Sequence, residues 1–160
     1  MEELRVKMAD MIVAKAPHVL STLGLGSCLG IMLYDSKTKI GGMAHVMLPD
    51  INAVSIKTNR AKFVNTAIEE MLREIVEQGA ERKNITAKIA GGAHMFSFAK
   101  PSVIFDVGRR NITEAHNEFK RLGIKLIAED VGLDYGRSVI FNLEDGSVKI
   151  TTIAHGGQVI

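Results

Sequence analysis

A change of hydrophobic period at Lys57 constrains the fold of this 160-residue chain more than any other feature. From Val19 to Met47 the pattern is strand-like and punctuated by glycines. Ile31-Met32-Leu33-Tyr34 is one apolar run and Ile40 to Met47 a second, with the polar stretch Asp35-Ser36-Lys37-Thr38-Lys39 between them. Two apolar runs around a polar turn predict a β-hairpin. Past Lys57, Phe63, Ala67, Met71 and Ile75 recur with helical spacing, and Ile68, Leu72 and Val76 widen the stripe. Glu69, Glu70, Arg73, Glu74 and Glu77 fall on the other side, so the segment predicts an amphipathic helix. Gly79 stands where a positive-φ residue would end it.

The remaining segments extend the same mixture. Ile85 to Ala90 alternates as a strand and runs into Gly91-Gly92. A second helix is predicted from Asn111 to Leu122, with Asn111 and Glu114 spaced as a capping box and Gly123 as the stop. Ile112, Ala115, Phe119 and Leu122 would form its inner face. Ile124 to Ala128 reads as a strand, and Ser138 to Leu143 and Ser147 to Ile153 flank Asp145-Gly146, a strong hairpin turn. Two helices among about seven strands, several joined by hairpins, predict an α+β fold with largely antiparallel pairing. No linker or low-complexity segment divides the chain, so one domain over residues 1–160 is expected. With 46% hydrophobic residues it can build a core without disulfides or metals.

Composition excludes several classes of function. No uninterrupted apolar stretch of membrane-spanning length exists, so no membrane insertion is expected. Met1-Glu2-Glu3-Leu4-Arg5 lacks the basic start and apolar run of a secretion signal. The single cysteine, Cys28, can form no internal disulfide. A cytoplasmic protein with a reduced thiol is the expectation. The net charge of +2 is spread along the chain, the pair Arg109-Arg110 stands alone, and six Phe, two Tyr and no Trp leave few stacking surfaces. Nothing in this calls for nucleic acid.

The setting of Cys28 is the chemically informative part. In Thr22-Leu23-Gly24-Leu25-Gly26-Ser27-Cys28-Leu29-Gly30 small residues crowd the thiol, and glycines let backbone approach a substrate closely. Backbone N–H groups around Gly26, Ser27 and Cys28 would suit a developing oxyanion. Gly41-Gly42-Met43-Ala44-His45 follows on the second apolar run. If Tyr34 paired with Ile40, Cys28 would oppose Val46 and lie about 5 Å, one strand spacing, from the strand that carries His45. In that register Cys28 and His45 would face opposite sides of the sheet. A one-residue bulge at Gly41-Gly42 would correct this. An adjacent imidazole can take the thiol proton and leave a nucleophilic thiolate. Thr22 could orient the ring from the end of the preceding strand. Small residues around Cys28 predict a shallow, open thiol.

Each feature also has a plain reading. A lone cysteine can be a small buried hydrophobe, His45 a core histidine, Thr22 a strand residue, and the glycines mere turn formers. Gly91-Gly92-Ala93-His94 echoes the His45 segment, which makes His94 a rival base or a second pocket residue. A zinc site of Cys28, His45 and His94 lacks paired ligand spacing. Gly24, Gly26 and Gly30 are not spaced as a dinucleotide loop. His18, His116 and His155 read as surface residues.

The chain resembles the chemoreceptor glutamine deamidases of the CheD family. The resemblance is carried by Leu23-Gly24-Leu25-Gly26-Ser27-Cys28, by Gly41-Gly42-Met43-Ala44-His45-Val46-Met47-Leu48-Pro49, and by Ala87-Lys88-Ile89-Ala90-Gly91-Gly92-Ala93. Gly108-Arg109-Arg110-Asn111-Ile112, Ala128-Glu129-Asp130-Val131-Gly132 and Gly136-Arg137-Ser138-Val139 continue it in order. It implies that Cys28 and His45 are catalytic, that Thr22 supports His45, and that no cofactor is needed. It implies conversion of glutamines to glutamates on the cytoplasmic helices of methyl-accepting chemotaxis receptors, with hydrolysis of receptor methyl esters as a further activity. It also implies a CheC-type phosphatase as partner, and the alternative that the chain is chiefly a non-catalytic module regulating that phosphatase. The implied fold is similar to that of the cytotoxic-necrotizing-factor-type deamidases, packed β-sheets flanked by helices. His94 departs from the pattern, in which a small polar residue is expected.

Overall fold

The hairpin expected from the two apolar runs lies at the middle of a five-stranded sheet. The computed structural model describes residues 2–55, 59–95 and 106–160; Lys57, where the period changes, lies outside them. The strands are β1 (Glu3–Arg5), β2 (Asp10–Lys15), β3 (Val19–Leu25), β4 (Leu29–Asp35), β5 (Ile40–Val46), β6 (Ile85–Gly91), β7 (Lys125–Val131), β8 (Arg137–Asn142), β9 (Val148–Thr151) and β10 (Gly157–Val159). The helices are α1 (Val64–Glu77) and α2 (Val107–Leu122). One sheet runs β1-β3-β8-β9-β10 and the other β2-β5-β4-β6-β7. Pairing is antiparallel except for β1 with β3 and β6 with β7, the latter joined through α2. This is the α+β fold expected, with more strands. β1, β2 and β10 are the additions, and the two three-residue ones are too short to carry a readable alternation.

The two faces of the β2-β5-β4-β6-β7 sheet are covered differently. Leu29, Ile31, Leu33, Ala44 and Val46 pack under Val64, Ala67, Ile68, Met71 and Ile75 of α1 and Ala115 and Phe119 of α2. Cys28, Met32, Tyr34 and Met43 face the other way, against Leu20, Val139, Phe141 and Ile150 of the first sheet. All seven residues of β4 and all seven of β5 are therefore buried, which is why both read as continuous apolar runs instead of alternating ones.

The register of the hairpin differs from the expected one by a single residue. Asp35 pairs with Ile40, Tyr34 with Gly41, Gly30 with His45 and Leu29 with Val46, without a break. Asp35 sets this turn: its carboxylate accepts from the Lys37 N–H at 2.9 Å, its carbonyl accepts from the Lys39 N–H at 2.8 Å, and Lys39 takes a left-handed φ of 57°. No bulge occurs at Gly41-Gly42. These glycines serve close packing instead: a Cβ on Gly42 would lie 2.8 Å from Met71 of α1, and one on Gly41 2.8 Å from Leu143. The irregularity lies in β3, where the register with β8 shifts between Thr22 and Leu25. Gly24 within it has a φ of +66°.

Helix α2 starts a turn earlier than predicted. Asp106 caps it, accepting from the Arg109 N–H at 3.2 Å, and Gly123 ends it in the left-handed region. The capping-box reading of Asn111 and Glu114 is thus incorrect. Asn111 is a fully buried residue inside the helix. The helix reaches back this far because Gly108 fits against the backbone of Gly92 and Ala93, where a Cβ would come within 2.5 Å of the Ala93 carbonyl oxygen.

Candidate active site

The observed register brings the Cys28 and His45 side chains to one face without any bulge. Gly30 opposes His45, and Cys28, two residues before Gly30, shares its side of the sheet. That side is the interior between the sheets, where Cys28 packs with Leu25, Met32 and Ala90. Gly30 leaves no room for a larger residue beside His45, since a Cβ there would press within 3.1 Å of Leu25.

Thr22 reaches His45 from the opposite sheet. Its Oγ1 lies 2.7 Å from His45 Nδ1 and 2.7 Å from the carbonyl oxygen of Val6. A threonine hydroxyl has one proton, and the Val6 carbonyl can only accept. The hydroxyl therefore donates to Val6 and accepts from Nδ1–H. This fixes the neutral ring in the Nδ1–H tautomer and leaves Nε2 with a free lone pair, the form a general base requires. Nε2 is buried and has no hydrogen-bond partner among the described residues.

Burial sets the resting charge of the pair. It lowers the proton affinity of His45 and raises that of the Cys28 thiol; only the Cys28 backbone N–H opposes the latter shift. Both shifts favour neutral partners. Thr22 is 0% exposed, His45 2% and Cys28 9%, so Cys28 alone borders open space. That space is a cavity of about 450 Å³ bounded by Gly24, Gly26, Ser27, His94, Met95 and Val107. The thiol is thus more enclosed than the shallow face expected, because Met95 and the start of α2 stand beside it.

The 26–28 loop is held from behind. The Ala93 N–H donates to the Gly26 carbonyl at 2.8 Å and the Gly92 N–H to the Cys28 carbonyl at 2.9 Å. Gly91 must be glycine here, since its φ is +104° and a Cβ would lie 2.5 Å from the Cys28 carbonyl oxygen. Asn111 Nδ2 donates to the Ser27 carbonyl at 3.0 Å and the Met47 carbonyl at 3.2 Å. Asn111 is the residue that sequence reasoning misplaced. A polar residue on the inner side of an otherwise apolar helical stripe was the available signal.

The other candidates separate from this cluster. His94 lines the same cavity, with Nδ1 3.9 Å from the Asp106 carboxylate. His116 is on the surface, 2.7 Å from Glu129, and His155 stacks on Tyr135. Among the described residues, no three His, Cys, Asp or Glu side chains come together as metal ligands would. None of the described helices is long and apolar enough to cross a membrane.

The fold is a two-sheet α+β sandwich with a single thiol and a tautomer-fixed histidine between its layers, and comparison with known proteins places it in a family. The chain belongs to the CheD family: the model described as "CheD chemotactic sensory transduction" matches residues 47–152. A Caldanaerobacter subterraneus relative is 46% identical over 157 residues, covering 98% of this chain and 97% of its own. A Clostridium novyi relative is 46% identical over 159 residues, 99% of this chain and 98% of its own. One from Moorella thermoacetica is 44% identical over 160 residues, 99% of this chain and 96% of its own. Each is named "Probable chemoreceptor glutamine deamidase CheD". Thr22, Cys28 and His45 precede the segment matched by the family model but fall within the span of these near-full-length relatives. A crystal structure of a Neisseria meningitidis protein of the DUF152 family shares the fold, with a TM-score of 0.53 at 10% identity over 99% of this chain and 73% of that one.

Proposed function

We propose that this chain is a chemoreceptor glutamine deamidase that works through a thioester on Cys28. The observation that carries the reading is the Thr22–His45 contact, because it leaves Nε2 free to accept a proton. In the proposed reaction His45 Nε2 takes the Cys28 proton as the sulfur attacks the side-chain amide carbon of a receptor glutamine. The tetrahedral intermediate collapses as the imidazolium gives its proton to the amide nitrogen. Ammonia leaves and a thioester remains. Water, losing a proton to His45, attacks the thioester, and glutamate is released with the thiol restored. The N–H groups near Gly26, Ser27 and Cys28 stabilise the oxyanion in both halves.

The same groups serve a glutamate methyl ester, which presents an identical acyl carbon and releases methanol in place of ammonia. A CheC-type phosphatase is proposed as a second partner on the family resemblance. The purely regulatory reading is disfavoured, since binding a phosphatase gives no reason to fix a buried imidazole tautomer. The test is incubation with a cognate receptor cytoplasmic fragment, followed by mass spectrometry for amide-to-acid conversion at defined glutamines. Conversion by wild type and none by Cys28→Ala is the expected result; an unmodified fragment with wild type rules the reading out.

A further inference from the structure

All three carbonyls of the Gly26-Ser27-Cys28 loop are occupied from behind: Gly26 by the Ala93 N–H, Cys28 by the Gly92 N–H, and Ser27 by the side chain of Asn111. The first two donors are backbone N–H groups and use no side chain. The third depends on one side chain. In a trans peptide the C=O and the following N–H point in opposite directions. Holding the Ser27 carbonyl therefore fixes the direction of the Cys28 N–H. Neither the Ser27 nor the Cys28 N–H donates to another described residue.

The setting of Asn111 is unusual for a packing residue. It is fully buried on the inner side of α2, one turn from Ala115, yet its Oδ1 has no partner among the described residues. Two carbonyl oxygens, of Ser27 and Met47, face its amide, so the NH₂ must point at them and the oxygen away. An apolar side chain would fill the space but take the donor away from the Ser27 and Met47 carbonyls. What Asn111 adds is one rigid amide that ties the nucleophile loop to the strand end just past His45.

We propose that Asn111 is a positioning residue that orients the Ser27–Cys28 peptide so that the Cys28 N–H is held ready for the oxyanion of the tetrahedral intermediate. This rests on the deamidase reading above. Misdirecting one oxyanion donor lowers the chemical step without weakening substrate binding, and leaves the thiol's own reactivity intact.

The test compares wild type, Asn111→Ala and Asn111→Asp, the last of which keeps the shape but turns an acceptor towards two carbonyls. Deamidation of a receptor fragment gives kcat and KM. Alkylation of Cys28 by iodoacetamide gives a reaction in which no oxyanion develops. Asn111→Ala is expected to lower kcat about 30-fold, and Asn111→Asp further, with KM within about twofold and alkylation within about threefold. Unchanged kcat in Asn111→Ala overturns the proposal. Parallel loss of deamidation and alkylation, or loss of the folded state in both variants by circular dichroism, assigns Asn111 to stability alone and also overturns it. Wild type that fails to convert the fragment sinks the deamidase reading and this inference with it; active wild type with an indifferent Asn111 sinks the inference only.

Discussion

The two faces of the β2-β5-β4-β6-β7 sheet are made from the same strands and carry opposite properties. On the helix side the packing is dominated by apolar residues, from Ile31 and Leu33 to Ile68 and Phe119, with Thr66 and Asn111 among the few buried polar groups on the helices. On the other side the packing of Met32, Tyr34 and Met43 gives way at one end to Thr22, His45 and Cys28. Burying apolar surface stabilises the fold without direction, whereas burying Thr22 and His45 is tolerable only if each polar atom finds a partner. The Val6 carbonyl and Nδ1–H give the hydroxyl one acceptor and one donor. Nε2 is left without a partner among the described residues, and that is the atom the proposed chemistry uses. One face is thus built for stability and the other carries a local cost at the site of function.

The sharpest test of this contrast is Cys28→Ala. Activity on a receptor fragment should fall by about 10⁴-fold or more. The thermal midpoint should move little, because Ala fills most of the same buried space; a large loss of stability would show that Cys28 is primarily a core residue. The converse is Ile31→Ala on the helix face, which should cost about 2–4 kcal/mol of unfolding free energy in a denaturant titration. At a temperature where this variant remains folded, its kcat should match wild type, and a tenfold drop would mean the two faces are not separable. Thr22→Val should touch both properties. It strands the Val6 carbonyl and the Nδ1–H, costing about 1–3 kcal/mol of stability, and frees the ring tautomer, lowering kcat about 10–100-fold.

The smallest effects are in pH dependence. Because burial raises the Cys28 thiol, iodoacetamide labelling should keep accelerating above the ordinary thiol range; a plateau near neutral pH would instead reveal a preformed thiolate. The sign for His45 is opposite. Its folded state holds the proton less tightly than the unfolded chain does. It therefore supports stability above the ordinary imidazole range, and that support is lost as pH falls through it. Chemical denaturation of wild type and His45→Gln at several pH values should show a shallower acid slope in the variant.

The legible parts of the fold are those set by neighbours in sequence. The stripe from Phe63 to Ile75 could only be an amphipathic helix, and Asp145-Gly146 only a hairpin turn; Gly146 indeed takes a φ of +78°. The β4–β5 pairing was also evident, but its register was not, since one carboxylate decides it: Asp35 gathers the turn N–H groups and also accepts from the Glu81 N–H at 2.9 Å, across the fold. Asn111 illustrates the same limit. Its spacing from Glu114 imitates a cap, and nothing local reveals that Asp106 already begins the helix.

Taken alone, the sequence determined that the chain is α+β, that its one thiol lies among small residues, and that a histidine follows on the next strand. Those are matters of period, composition and chain order. Tertiary structure decided which side of the sheet Cys28 and His45 share, that Thr22 reaches the ring from the other sheet, and that Asn111 of α2 holds the loop. Each of these contacts joins distant segments, so it depends on how layers stack and strands register, which no local pattern encodes.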